Sequence, residues 1–282
     1  TIGVGFFLML AFENNWVGET GRVILGLVAG VAVLGVGEYA QHRYPAWAQA
    51  VTGAGIGILY LSIYAAFGFY DMIDFMPALL FLALVVAMSG MLALRYESRV
   101  IALLGMFAAF MTPVVLGLGA GSGMDVKEPY VFLIYILLVD LGILGVSTFR
   151  NWRWFTLVGL IGSYLLFAAW FSDTLSRDLA FSQVGLTAIF LVFSSATTLF
   201  HILWRRAPGQ PDMVLMALNA ACYFGLTFEL LWDQYEDWFA LISLVLSFFY
   251  GLLGYGALKR TGAPIQITIY SVSIALVFLT VA

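Results

Sequence analysis

Long apolar runs separated by short charged punctuation constrain this chain more than any other feature of its sequence. Eleven runs lie at roughly 2–12, 21–40, 46–70, 76–94, 100–118, 129–148, 154–171, 180–203, 212–231, 238–258 and 265–282. Most are near the about 20 residues that an α-helix needs to cross a bilayer core. A membrane barrel would instead show strands of about ten alternating residues, and none is seen. The connections are short, so consecutive helices should be antiparallel neighbours. The expected fold is all-α: a polytopic transmembrane helical bundle forming one domain over 1–282, with no soluble domain.

Composition agrees. The 282 residues are 63% hydrophobic and only 10% charged, with a mean hydropathy of +1.00. Soluble domains carry about 25% charged residues, so this chain cannot coat a water-facing surface. That excludes a soluble enzyme, a nucleic-acid binder, a disulfide scaffold and a disordered tail. Cys222 is the single cysteine, which leaves no internal disulfide and no zinc or haem-attachment spacing. No cofactor or metal is expected. The opening run meets polar residues after 11 positions, so the sequence reads as starting inside a helix.

The basic residues set an orientation. One set of alternate connections holds Arg43, Arg95, Arg99, Arg150, Arg153, Arg205, Arg206, Lys259 and Arg260, nine of the 12 Lys and Arg residues. The other set holds Arg22, Lys127 and Arg177 beside Glu13, Glu19, Asp71, Asp74, Asp125, Glu128, Asp173, Asp178, Asp233, Glu236 and Asp237. By the positive-inside rule the first set is cytoplasmic and the acidic set lies outside. The tryptophans all fall near predicted interfaces, as an aromatic belt requires. Helices entering from outside begin near 21, 76, 129, 180 and 238, each hairpin ending in a basic corner. Tandem duplication of a two-helix unit is one explanation. The other is that positive-inside topology imposes such a period by itself.

Three stretches carry a family likeness: "FENNWVGETGRVILGLVAG" at 12–30, "GAGIGILYLSIYAAFGFY" at 53–70 and "LLGMFAAFMTPVVL" at 103–116. In this order and spacing the chain resembles the bacterial family of multi-spanning membrane proteins catalogued as a domain of unknown function, DUF2339. The motifs cover roughly the first 120 residues. The resemblance implies a bacterial inner-membrane protein with many helices, and a polar extension before the first one. It implies no catalytic residue, because the family carries no assigned activity.

Polar groups inside spans are expensive, so each is a candidate by default. Asp140, in "YILLVDLGILG", has apolar neighbours for four residues on either side, near the middle of its helix. A carboxylate there must be protonated, paired or facing water, so it reads as a proton-relay or cation site, or as a hydrogen-bonding link between helices. Asn219 and Glu229 share the run 212–231, about 80° apart around a helix of 3.6 residues per turn. They can line one cavity, although Glu229 is near enough to Trp232 to reach the outer headgroups. Glu38, His42 and Arg43 group at a cytoplasmic helix end, where Glu38 is expected to pair with Arg43. His42 and His201 both fall near cytoplasmic ends, which suits interfacial histidines better than axial haem ligands.

Pro113 lies inside a span, where it removes a backbone hydrogen bond and clashes with the carbonyl of Ala109. With Gly117, Gly119 and Gly121 beyond it, the segment reads as a hinge or gate, or as an ordinary kink with a pliable exit. Gly26–Gly30, Gly53–Gly57 and Gly117–Gly121 have the spacing that lets helix backbones approach. "GAGIG" at 53–57 lacks the Lys and the Ser or Thr of a phosphate loop. Hydrolase and metalloprotease motifs are missing, so an enzyme is not expected.

Two functions fit these features. The first is a transporter or flippase for an apolar or amphipathic small molecule or lipid, with proton coupling at Asp140. The alternative is a non-enzymatic membrane scaffold or assembly factor for envelope machinery, in which glycine faces such as that of Gly30 bind a membrane-protein partner. In both, membrane lipids surround the chain.

Overall fold

A computed structural model describes residues 17–119, 129–150, 152–173, 178–199, 210–259 and 265–282. These form ten helices: α1 (Glu19–Ala40), α2 (Pro45–Gly68), α3 (Phe75–Arg95), α4 (Arg99–Gly119), α5 (Pro129–Arg150), α6 (Arg153–Asp173), α7 (Leu179–Ser194), α8 (Gln210–Tyr235), α9 (Phe239–Lys259) and α10 (Ile265–Val281). They match ten of the apolar runs; the run 2–12 lies outside the described residues. Among the described residues, nine helices are long and apolar enough to cross a membrane. The tenth, α10, has 17 residues. The expected helical membrane bundle is therefore the fold of this chain.

Local chemistry sets several boundaries. Pro45 opens α2, where its missing N–H belongs to a group no helix would satisfy anyway. The Asp178 carboxylate caps α7 by accepting from the Phe181 backbone N–H at 3.1 Å. Beyond Ser194 the helix widens into a π-helical turn, Ser195–Leu199. α8 runs four residues past the expected end at 231, and a 3-10 turn, Glu236–Trp238, leads directly into α9.

The chain divides into two compact units, residues 1–127 and 128–282. In the first, α1 packs along α2, and α2, α3 and α4 pack on one another. The α1–α2 seam is built on missing side chains: Gly26 faces Ser62, Gly30 faces Leu59, Gly37 faces Thr52, and from the other helix Gly55 faces Leu34. A Cβ on Gly30 would sit 2.6 Å from Leu59 Cδ2 and 3.2 Å from the Leu59 backbone nitrogen. Lipid tails are as apolar as leucine, so such close approach, rather than hydrophobic driving force, holds membrane helices together. The Gly30 face is thus filled by the chain's own α2. Gly53 similarly faces Leu104 of α4, whereas Gly57 has no neighbour within 4 Å of a built Cβ.

At the basic end of this unit Glu38 pairs with Arg95, at 2.6 Å, instead of with Arg43. Arg95 ends α3 and reaches across to the last turn of α1. Arg43, in the turn after α1, lies over the ring of Tyr44 at 5.7 Å. His42 occupies the same exposed turn. α4 continues through Pro113 as helix to Gly119, so the segment is not broken at the proline. Thr112 beside it is fully buried, donates to the Ala108 carbonyl at 2.8 Å and meets the Tyr60 hydroxyl of α2 at 3.2 Å. Gly121 and His201 lie outside the described residues.

In the second unit α5 packs against α6 and α7, and α8 against α6, α7, α9 and α10, while α9 and α10 pair closely. Gly159 of α6 and Gly185 of α7 admit Ile143 and Leu133 of α5. Phe190 of α7 stacks on Tyr223 of α8 with ring centroids 4.4 Å apart. Trp47, Trp232 and Trp238 are exposed as belt residues should be, but Trp170 turns inward and stacks on Phe132 at 5.1 Å.

Candidate functional site

The second unit gathers its polar side chains along the faces where α5 to α9 meet. Asp140 of α5 is wholly buried. Its Oδ1 accepts from the Ser163 hydroxyl of α6. Its Oδ2 is buried with no hydrogen-bond partner among the described residues. Among the described residues of α5 to α9, basic residues stand only at helix ends, Arg150, Arg153 and Lys259, away from this carboxyl near the middle of its helix. Ser163 also lies 2.9 Å from the Gly159 carbonyl. One hydroxyl proton therefore faces two acceptors.

One residue further on, Tyr164 turns toward α8. Its hydroxyl donates to Asn219 Oδ1 at 2.8 Å. Asn219 is fully buried, and its Nδ2 donates to the Phe190 carbonyl at 3.1 Å and to Ser194 Oγ at 3.0 Å, both on α7. One amide thus ties α6, α7 and α8 together with both ends satisfied. The Tyr250 hydroxyl of α9 adds a long bond to the Met216 carbonyl at 3.5 Å.

Toward the start of α7 a second cluster follows. Gln183 Nε2 donates to the Tyr223 hydroxyl at 3.0 Å and to Thr227 Oγ1 at 3.2 Å. Thr187 Oγ1 shares a proton with the Tyr223 hydroxyl at 3.1 Å. Gln183 Oε1, like Asp140 Oδ2, is a buried acceptor with no partner among the described residues.

A family model described as "Predicted membrane protein (DUF2339)" matches residues 1–282. The chain belongs to this family. The match extends well past the first 120 or so residues whose motifs carried the resemblance. No curated protein and no solved structure matches the chain.

Within this DUF2339 chain the expected candidates part company. Asp140 and Asn219 belong to one buried polar region, linked through the neighbouring residues Ser163 and Tyr164. Glu229 is exposed on α8, while Asn219 is buried, so the two do not line a common cavity. Pro113 and Gly117 belong to the first unit, both buried in α4. Sequence reading missed Ser163, Tyr164, Gln183, Thr187, Ser194, Tyr223 and Thr227. A usable signal was present: Gln183, Thr187 and Ser194 fall at i, i+4 and i+11, and Asn219, Tyr223 and Thr227 at i, i+4 and i+8. Each set makes a polar stripe on one helical face. Chemically, the region presents hydroxyl, amide and carboxyl groups that donate and accept hydrogen bonds. Among the described residues, no group of three or more His, Cys, Asp or Glu side chains stands close enough to hold a metal ion.

Proposed function

We propose that this DUF2339 protein is a bacterial inner-membrane transporter or flippase for an apolar or amphipathic small molecule or lipid, coupled to a proton at Asp140. The observation that carries the reading is the Asp140 carboxyl, wholly buried and with one oxygen unpartnered. Buried polar atoms are nearly always hydrogen-bonded, and an orphan calls for a function or a missing guest. Hydrogen-bond accounting allows a proton on Oδ1, the oxygen that meets Ser163, and leaves Oδ2 bare in both states. With the carboxyl protonated, its O–H donates to Ser163 Oγ, and Ser163 donates in turn to the Gly159 carbonyl. With the carboxyl ionised, Ser163 turns its proton to Asp140 and the carbonyl gives up that bond. Both states use the same atoms without moving a helix, as a site that loads and unloads a proton requires.

Sparse charge inside the spans disfavours a strongly ionic solute, because an ion crossing them would find little to replace its water. In this reading the basic corners face the cytoplasm, and Pro113 with Gly117, Gly119 and Gly121 supplies a hinge. The scaffold alternative treats Asp140 as interhelical glue. Glue is best made by satisfied groups such as Asn219, and the bare Oδ2 weighs against that role. The test is native mass spectrometry of the protein extracted with its surrounding membrane, beside Asp140→Asn. A defined small molecule or lipid retained by the wild type and lost in the variant is the expected result. Bulk lipid alone in both, with a co-extracted protein partner, would favour the scaffold.

A further inference from the structure

We propose that the polar seam between α7 and α8 is the route by which protons reach Asp140 from the end of the second unit where α7 begins and α8 ends. The inference rests on the reading of Asp140 as a proton site and adds the path that serves it. Gln183, Thr187 and Ser194 line one face of α7, and Asn219, Tyr223 and Thr227 line the facing side of α8. At about 1.5 Å of rise per residue, Gln183 sits roughly 6 Å inside the start of its helix. Gln183 and Thr187 are half-buried, whereas Thr227, Tyr223, Asn219 and Asp140 are buried. On the α7 side the stripe is therefore shallower than at Asn219 and Asp140, while Thr227 opposite Gln183 is already fully buried.

Its inner end meets the site. The Tyr164 hydroxyl bonds Asn219 at the foot of the stripe and lies within electrostatic reach of both Tyr223 and Asp140. No other titratable side chain of α6 but Tyr164 stands between its terminal Arg153 and Asp173, and α7 carries none. Beyond Tyr164, the groups that feel its hydroxyl are Cys222 and Tyr223 of α8 and Tyr250 of α9. All are neutral in their ordinary states. The two unpartnered acceptors, Gln183 Oε1 and Asp140 Oδ2, mark the two ends of the path. Each is a place for a water proton to point.

Transfer along the path is a sequence of proton hops. At each hydroxyl one proton arrives on a lone pair and the group's own proton leaves toward the next acceptor. Thr187 and Tyr223 pass the proton inward, Tyr164 turns its own proton from Asn219 Oδ1 toward the carboxyl as it takes up the incoming one, and water completes the chain between these hydroxyls and Asp140. The net change is one proton taken from the aqueous side and one carboxylate converted to carboxyl. Asn219 holds the Tyr164 hydroxyl in place and carries no proton itself.

The experiment is infrared spectroscopy of the protein in lipid vesicles during a rapid change from water to deuterium oxide. The protonated carboxyl stretch of Asp140, assigned by its loss in Asp140→Asn, shifts as the proton exchanges. Thr187→Val and Tyr223→Phe remove hydroxyls with little change of shape, and Gln183→Leu removes the mouth. Each is expected to slow the exchange by about tenfold or more, the effect of adding a barrier step. A change at Tyr39, exposed in the first unit, should leave the exchange rate alone. Unchanged exchange in Thr187→Val and Tyr223→Phe, with helical content and melting retained, overturns the route and leaves Asp140 as a proton site. Absence of any protonated Asp140 band in the wild type overturns the route and the reading of Asp140 together.

Discussion

Replacing Asn219 with leucine should unlock three helices at once. The amide is fully buried and makes three side-chain hydrogen bonds, from Tyr164 at 2.8 Å and to Phe190 and Ser194 at 3.1 and 3.0 Å. Interhelical bonds in membrane proteins contribute about 0.6 kcal/mol on average and up to about 1.7. Three of them give roughly 2 kcal/mol. The Tyr164 hydroxyl keeps only a long contact to the residue-219 backbone carbonyl at 3.4 Å, and the Phe190 carbonyl keeps its place in the α7 ladder, so the about 1–3 kcal/mol cost of a full orphan applies only in part. The expected loss is therefore about 2–4 kcal/mol, with part of the orphan penalty relieved by local rotation. Unfolding in mixed micelles with increasing denaturing detergent, followed by tryptophan fluorescence, measures it. A double-mutant cycle with Tyr164→Phe isolates the one bond, with an expected coupling of about 0.6–1.7 kcal/mol. A loss below about 0.5 kcal/mol for Asn219→Leu, or no coupling to Tyr164, would refute the clamp, since ordinary surface changes reach that size.

Other perturbations follow from the same geometry. Gly30→Leu should destabilise the first unit by about 1–3 kcal/mol or more through overpacking against Leu59, whereas Gly35→Ala, with no neighbour within 4 Å, should be tolerated; detergent unfolding of both variants checks the contrast. Glu38→Gln removes an exposed ion pair with Arg95 and should change stability by no more than about 1 kcal/mol, less at high salt. Gly185→Val should push α7 from α5 through Leu133, lowering thermal stability in a melting measurement by an amount in the overpacking range of about 1–3 kcal/mol. Asp140→Leu should fold and melt no lower than wild type, since removing a buried group with an unsatisfied oxygen is often neutral or stabilising. Clear destabilisation in that variant would favour glue over a proton site.

The spans were legible because backbone polarity leaves a chain in lipid only one common solution. Each of the ten apolar runs among the described residues became one helix, within a few residues at its ends. Asp140 was legible for the same reason, as a carboxyl with nothing polar near it in sequence. Its partners were not. Ser163 is 23 residues away, and the Tyr164–Asn219 bond spans 55. In a soluble protein an apolar stripe would announce which face of each helix turns inward. Here lipid and protein interior are equally apolar, so hydropathy carries no rotational signal. The Glu38 pair shows the same limit: reading along the sequence favours Arg43, while the end of α3 supplies Arg95. Glycines were legible as packing faces, but that Gly30 packs on Leu59 of its own chain required the fold. The polar stripes of α7 and α8 stood in the sequence at helical spacing, carried apart from Asn219 by neutral hydroxyls and Gln183 rather than by charges.

A proton site at Asp140 must bind and release its proton while the protein stays folded. A potentiometric difference titration tests it directly: purified wild type and Asp140→Asn are titrated side by side in weakly buffered detergent. Wild type should take up one more proton per chain than the variant as the pH falls across the range where both remain folded. Superimposable titration curves over that range would contradict it.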